Sequence, residues 1–300
     1  MPYADLRRRG GFTLVELLVA LVIAGFIMAT VFQILTGQSR VVAVQGAREE
    51  TQQNVRGALE IVSSELRAGI PQGILAANAQ SITFMQPRAW GLVCGSPAAN
   101  TVDAIFPSTQ ALDAFTASST SGVAINIGST GAPNWQPRTL ATWAAVTGVQ
   151  QLGAGEAGQC AAPSMGSSGA VVTARITAQG IEAWAAQRRE IVLYSLTHYD
   201  VDKVGDEWWL RRSNGWNGAF TQQPLAGPLA EAGGAADLAF TYYTAPPPAA
   251  PVAAPGTNAA QLAAVRSVGI RLTTQSQQAI NGRRQQDAGS VTVTLRNAPQ

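Results

Sequence analysis

The 300-residue chain is predicted to be an α+β protein: a long N-terminal helix, membrane-spanning in its first half, packed on a β-rich, globular head. Three observations predict this. From Phe12 to Leu35 nearly every residue is apolar, the polar exceptions being Thr13, Glu16, Thr30 and Gln33, and about twenty such residues, each rising ~1.5 Å in a helix, cross a bilayer core. Val44, Ala47, Thr51, Val55, Ala58, Val62 and Leu66 then recur at helical spacing as one apolar stripe. From Ser81 onward, short β-branched and aromatic runs alternate with Gly, Ser, Pro and Asn clusters, the texture of strands and turns.

Composition supports a folded body, with 46% hydrophobic and 13% charged residues. Lys and Arg number 20 against 18 Asp and Glu, so net charge gives no footing for nucleic-acid binding. Positive charge is concentrated at the start, where Arg7, Arg8 and Arg9 stand against Asp5. Taking three arginines and one aspartate from those totals leaves 17 against 17.

Residues 1–11 read as a leader and residues 12–36 as the membrane-spanning half of the helix. A secretory signal would have a shorter apolar region, roughly 7–15 residues, and a small-residue cleavage site after it; here Leu35 is followed by Thr-Gly-Gln-Ser-Arg. Arginines before the span predict a cytoplasmic N-terminus at the inner membrane and an exported, periplasmic head. Within the span, Glu16 is expensive, by about 2.5–3.5 kcal/mol on insertion scales, and such a residue calls for a named partner. Gly10 and Gly11 form a small, flexible stretch just before Phe12, suited to the approach of a protease.

Gly11-Phe12-Thr13-Leu14-Val15-Glu16, after a short arginine-bearing leader and before an apolar helix, resembles the cleavage signal of type IV prepilins and type II secretion pseudopilins. The resemblance implies that a prepilin peptidase cuts after Gly11 and methylates the new amino group of Phe12. It also implies that Glu16 neutralises the N-terminal amine of a neighbouring pilin subunit during filament assembly. Physical reasoning supports that role independently. Cleavage creates an ammonium at Phe12 that is costly in a dry bundle, and Glu16 supplies the opposite charge at nearly the same depth; removing one partner of such a pair costs about 3–5 kcal/mol.

Residues 37–70 form the soluble half of the helix. Gly37 and Gly46 are candidate bends, and Gly69-Ile70-Pro71 ends the pattern, because a residue before proline is pushed away from helical dihedrals. The stretch QQNVRGALEIVSSELRAG resembles the post-membrane helix of the larger minor subunits, the W-type minor pilins and J-type pseudopilins. The span lacks a proline, which fits a minor subunit better than a major one.

Residues 71–300 make the β-rich head. Strands are expected at SITFM, VAINI, VVTARITA, EIVLYSLTHY, EWWLRR, LAFTYYT, VGIRLTT and VTVTLRN, with a hairpin turning at Asp202–Asp206 and another around Asn281-Gly282. The Ala-, Gly- and Ser-rich segment 86–190 is expected to hold irregular loops and an insertion. Residues 244–261, rich in proline and alanine, read as an exposed extended loop between two strands.

The motifs of chemistry are mostly negative. GAGEAG at 153–158 satisfies G-x-G-x-x-G without the flanking strand and helix that dinucleotide binding needs. His198, the sole histidine, stands in a strand pattern with no second ligand and reads as structural. Asp200, Asp202 and Asp206 open like a calcium loop, and pseudopilin relatives sometimes bind calcium. Yet Val204 holds a ligand position and Arg211 stands where the bidentate glutamate belongs, so a hairpin is preferred and no metal or other cofactor is assigned. Cys94 and Cys160 could form a disulfide in an exported domain, closing a long loop and adding about 4 kcal/mol in the chain-entropy model, with free buried thiols as the alternative. Trp208, Trp209, Arg211, Arg212 and Trp216 form an aromatic-basic cluster, with Trp208 and Leu210 on one face of a strand and Trp209 and Arg211 on the other.

The reading is therefore a non-enzymatic minor pilin or minor pseudopilin of a type IV pilus or type II secretion system. The alternatives are an adhesive or DNA-capturing minor pilin gripping nucleic acid through the aromatic-basic cluster, or a membrane-anchored periplasmic domain of unknown activity. An enzyme is disfavoured by the absence of any convergent acid-base constellation in the sequence.

Overall fold

Helix α1 runs unbroken from Leu14 to Ala68, 55 residues, in the computed structural model, which describes residues 13–107, 122–128, 134–139, 142–146, 171–184, 189–216, 219–245, 249–280 and 282–295. Its two halves have different surroundings. The apolar half has an 18-residue window of mean hydropathy 2.6, none of it buried, so by length and composition it can cross a membrane. In the second half Ala47, Thr51, Val55, Ala58, Val62 and Leu66 are buried on the head, the stripe read from their spacing. Each fully buried Val or Leu contributes roughly 1.5–3 kcal/mol, so the stripe anchors the helix. Gly69 caps the end, its N–H donating to the Leu66 carbonyl, and the glycines at 37 and 46 do not interrupt the helix.

The head's strands are β1 (Ile74–Ala77), β2 (Ile82–Gly95), β3 (Thr101–Pro107), β4 (Gly122–Asn126), β5 (Trp135–Thr139), β6 (Thr142–Val146), β7 (Val171–Thr177), β8 (Glu190–Val204), β9 (Glu207–Trp216), β10 (Ala219–Leu229), β11 (Glu231–Ala232), β12 (Ala235–Ala236), β13 (Leu238–Tyr243), β14 (Ser267–Gln275) and β15 (Gln286–Thr294). A short helix α2, Ala259–Ala264, precedes β14. All but β11 and β12, which pair with each other, join one 13-stranded antiparallel sheet in the order β13-β14-β10-β9-β8-β2-β3-β7-β6. Off this path β15 pairs β14, β1 pairs β2, and β4 pairs β5 and β8. The fold is α+β, as the sequence predicts.

The two largest hydrophobic clusters among the described residues lie along this sheet. One gathers Val55, Val62 and Leu66 of α1 against Phe84, Tyr199, Leu210, Phe240 and Ile270. The other, away from the helix, joins Val93, Phe106, Ile125, Ile176, Ile191 and Leu193. Strands β2 and β8 supply both, Ile82 and Tyr199 at one end, Val93 and Ile191 at the other. A register shift between Pro87 and Ala89 marks the middle of the β2–β8 ladder, where the proline lacks a donor.

The described residues of segment 86–190 include most of β2 and all of β3 to β7, among them the strands expected at VAINI and VVTARITA. Its small residues serve close packing. A Cβ on Gly91 would lie 2.4 Å from the Ile105 carbonyl oxygen, and Ala89, Ala104 and Ala174 are fully buried. Strand β10 was absent from the expected set. It accommodates Pro224 at a register shift against β9. Residues 244–261 do connect two strands, β13 and β14. The loop is tied down by bridges Tyr242↔Val252 and Ala77↔Gly256 and passes into α2.

Candidate assembly site

The site begins where α1 begins. Thr13 is the N-cap, with extended dihedrals of φ −77° and ψ 150°. Its hydroxyl accepts from the Glu16 N–H at 3.3 Å, while Glu16 Oε2 accepts from the Thr13 N–H and Oγ1, each at 3.0 Å. This reciprocal capping box satisfies two backbone donors that a helix start leaves orphaned. The T-x-x-E spacing was legible in the sequence, but the reading of Glu16 as a membrane carboxylate passed over it. Around the box the surface is apolar and uncovered: Leu14, Val15, Leu17 and Leu18 are all exposed. The carboxylate thus has a local partner in Thr13 but no cation among the described residues. Gly11 and Phe12 lie outside the described residues.

His198, the three aspartates and the aromatic-basic residues sit on the β8–β9 hairpin. Val204 pairs with Glu207 across a two-residue turn of Gly205 and Asp206, with Gly205 at φ 65°. Asp200 and Asp202 project from one face of β8 onto a single cation: Arg211 Nη2 lies 2.9 Å from Asp200 Oδ2, and Nη1 lies 2.7 Å from Asp202 Oδ2. Asp206 is exposed at the turn. Two of the three aspartates are thus ion-paired with Arg211, and among the described residues no group of three or more His, Cys, Asp or Glu is placed to hold a metal. His198 Nδ1 lies 2.7 Å from Thr83 Oγ1, and its Nε2 lies 3.7 Å from Asp200 Oδ2. Burial would raise the Asp200 carboxyl, but hydrogen bonds from His198 and Arg211, with their charges, outweigh it and hold the group below its usual value.

Arg212 projects to the opposite face, toward α1, as the alternation of β9 requires. Its Nε lies 3.0 Å from both oxygens of Glu65, its Nη2 lies 2.6 Å from Oε1, and Tyr199 donates its hydroxyl to Oε2 at 2.5 Å. Burial, then the neighbouring Glu65, pushes the Tyr199 phenol far up, so it stays a donor. Arg211 and Arg212 therefore share no surface and are each paired with carboxylates. The aromatic-basic cluster comes apart in the same way: Trp208 packs on the helix-side core under Lys203, whose Nζ lies 4.9 Å from the ring centroid, and Trp209 packs on Gly227. The side chain of Trp216 lies outside the described residues. Cys94, at the outer end of β2, is 4% exposed and disulfide-bonded. Cys160 and the glycine motif at 153–158 lie outside the described residues.

Residues 6–32 match the prokaryotic N-terminal methylation motif, which is typical of type IV prepilins and pseudopilins. The match covers the arginine leader, Gly11, Phe12, Glu16 and most of the apolar half of the helix. No curated protein and no solved structure matches the chain.

Proposed function

We propose that this chain is a minor pilin or minor pseudopilin, a structural subunit of a type IV pilus or of a type II secretion pseudopilus. The observation that carries the reading is the methylation motif at residues 6–32 placed at the start of a 55-residue helix whose apolar half is wholly uncovered. Prepilin peptidase cuts between Gly11 and Phe12 and methylates the Phe12 amine. The subunit is held in the inner membrane by residues 12–36, with the head on the periplasmic side, until it joins other pilin subunits. Glu16 then exchanges its Thr13 contacts for the N-terminal ammonium of a neighbour. In the lipid-like centre of the filament that pair fixes axial register, because a displaced subunit leaves both charges unpaired.

The head's role is structural. The arginines that a DNA-capturing reading would use are held by Asp200, Asp202 and Glu65. The Cys94 disulfide, paired with Cys160, would brace the outer lobe in an oxidising compartment. Mass spectrometry of the protein recovered from membranes tests the central claim. The expected mature chain begins at Phe12 with one methyl group on its amine. A working protein that keeps residues 1–11 would overturn it.

A further inference from the structure

Among the described residues strand β15 pairs with β14 alone and forms an edge of the sheet. It pairs with β14 through nine consecutive residue pairs, Gln275↔Gln286 to Ser267↔Thr294, with no shift in register. The ladder's phase follows from the bonds that bracket it: Ser276 N–H donates to the Gln285 carbonyl at 2.8 Å, and Leu295 N–H donates to the Arg266 carbonyl at 2.9 Å. Backbone direction alternates along an antiparallel strand. Residues 287, 289, 291 and 293 therefore turn their N–H and C=O toward β14, while Gln286, Ala288, Ser290, Thr292 and Thr294 turn theirs away. Those five residues are exposed, and no other described residue hydrogen-bonds to their backbone.

An open edge of this length, about 30 Å at ~3.3 Å per residue, is a template for another strand unless it is guarded. The usual guards are missing. Gln286–Thr294 contains one charge, Asp287, with no lysine, no proline and no bulge. The position of the edge says what meets it. Gly289 lies directly under α1, where an added Cβ would be 2.4 Å from Val55 Cγ1 and 2.9 Å from Leu59 Cδ1. Beside it Leu59, Val291 and Leu295 pack on the core yet stay only partly buried. The apolar rim of the sheet thus ends unfinished along the helix that carries filament packing.

The geometry points to β15 as the acceptor for a β-strand donated by the adjacent subunit in the filament. This rests on the filament-subunit reading above. The donated segment is extended and free of proline. Apolar side chains at alternate positions lie over Leu59, Val291 and Leu295, polar ones beside Ser290 and Thr292, and its backbone fills the five outward rungs.

Residue-resolved hydrogen exchange on the processed full-length chain tests this, comparing subunits in detergent with subunits in isolated filaments. Amides of Gln286, Ala288, Ser290, Thr292 and Thr294 should exchange freely in detergent and become protected on assembly, with Gly289, Val291 and Val293 protected in both. Ser290→Pro removes only an outward donor. It should leave the thermal midpoint of the head unchanged and cut the amount of chain recovered with filaments by about tenfold or more, equivalent to at least one decade in affinity. Val291→Pro, which removes an inward donor, should lower the midpoint instead. Protection of the even-numbered amides already in detergent would assign the edge to this chain's own residues and overturn the proposal. So would normal incorporation of the Ser290→Pro chain with those amides still exchanging in filaments, a result that leaves the filament reading intact. A chain that is processed but never recovered with pilin-like subunits overturns both.

Discussion

Arg212 of β9 grips the carboxylate of Glu65 on α1 with both Nε and Nη2, the shortest contact being 2.6 Å, and Tyr199 closes the group from β8. The pair joins α1 to the central strands of the head. It fixes the rotation of the helix in a way that apolar packing alone does not, since a bidentate fork has one orientation and a row of methyl groups has several.

Breaking one partner should therefore cost more than removing both. Glu65→Gln or Arg212→Met is expected to destabilise the head by about 2–3 kcal/mol, below the range for fully buried pairs because both side chains keep some solvent contact. The double variant should recover part of that loss. Urea unfolding of the four chains in a double-mutant cycle measures it; purely additive effects would show that the pair is not coupled.

Glu16→Gln separates the capping contact of the acid from the charge-pairing role proposed for it. Glutamine keeps an acceptor for the Thr13 N–H, so the start of α1 persists, yet it carries no charge for a neighbour's ammonium. Processing at Gly11 should proceed while recovery in filaments falls roughly tenfold or more, the loss expected when one buried charge is left alone. Wild-type recovery would remove the charge from the mechanism.

The carboxyl of Asp200 is held below its ordinary value in the fold. A depressed acid binds its proton more readily when unfolded, so its stabilisation is present above the unfolded value of about 4 and lost as pH falls through the folded value. Thermal midpoints measured downward from pH 5 should drop, and Asp200→Asn should flatten part of that slope. An unchanged slope in the variant would place the acid sensitivity elsewhere.

Gly289→Ala inserts a methyl group where Val55 already stands 2.4 Å from the ideal Cβ position. Overpacking of this kind costs about 1–3 kcal/mol. Val55→Ala in the same chain should restore part of the stability, which locates the strain at the contact of helix and strand. Calorimetry of the single and double variants reads both effects.

Much of this architecture was legible from local signals. The helix was, because an apolar run and a stripe at helical spacing each imply a neighbour, one lipid and one the sheet. Strands β8, β9, β13, β14 and β15 were, because alternation and β-branched content survive in isolation. The second half of β2 and all of β3 were not, since Ala89, Gly91 and Ala104 gain their place from how near another layer comes, a property of the folded chain alone. At the candidate site, the N-terminal methylation motif and Glu16 within it could be read in order along the chain. The Glu65–Arg212 pair could not be read so directly, with partners 147 positions apart. One clue existed: Arg212 shares the period-two face of the buried Leu210, and an arginine on a core-facing row requires a carboxylate.

Strands β2 and β8, which run side by side through both hydrophobic clusters, also decide how this subunit would carry load. A pull applied between the cluster that holds Ile82 and Tyr199 and the one that holds Val93 and Ile191 would act lengthwise along the β2–β8 ladder, in shear. Its rungs would then have to yield together, so the head should behave under pull as one stiff strut whose breaking force exceeds that of a ladder peeled open from one end.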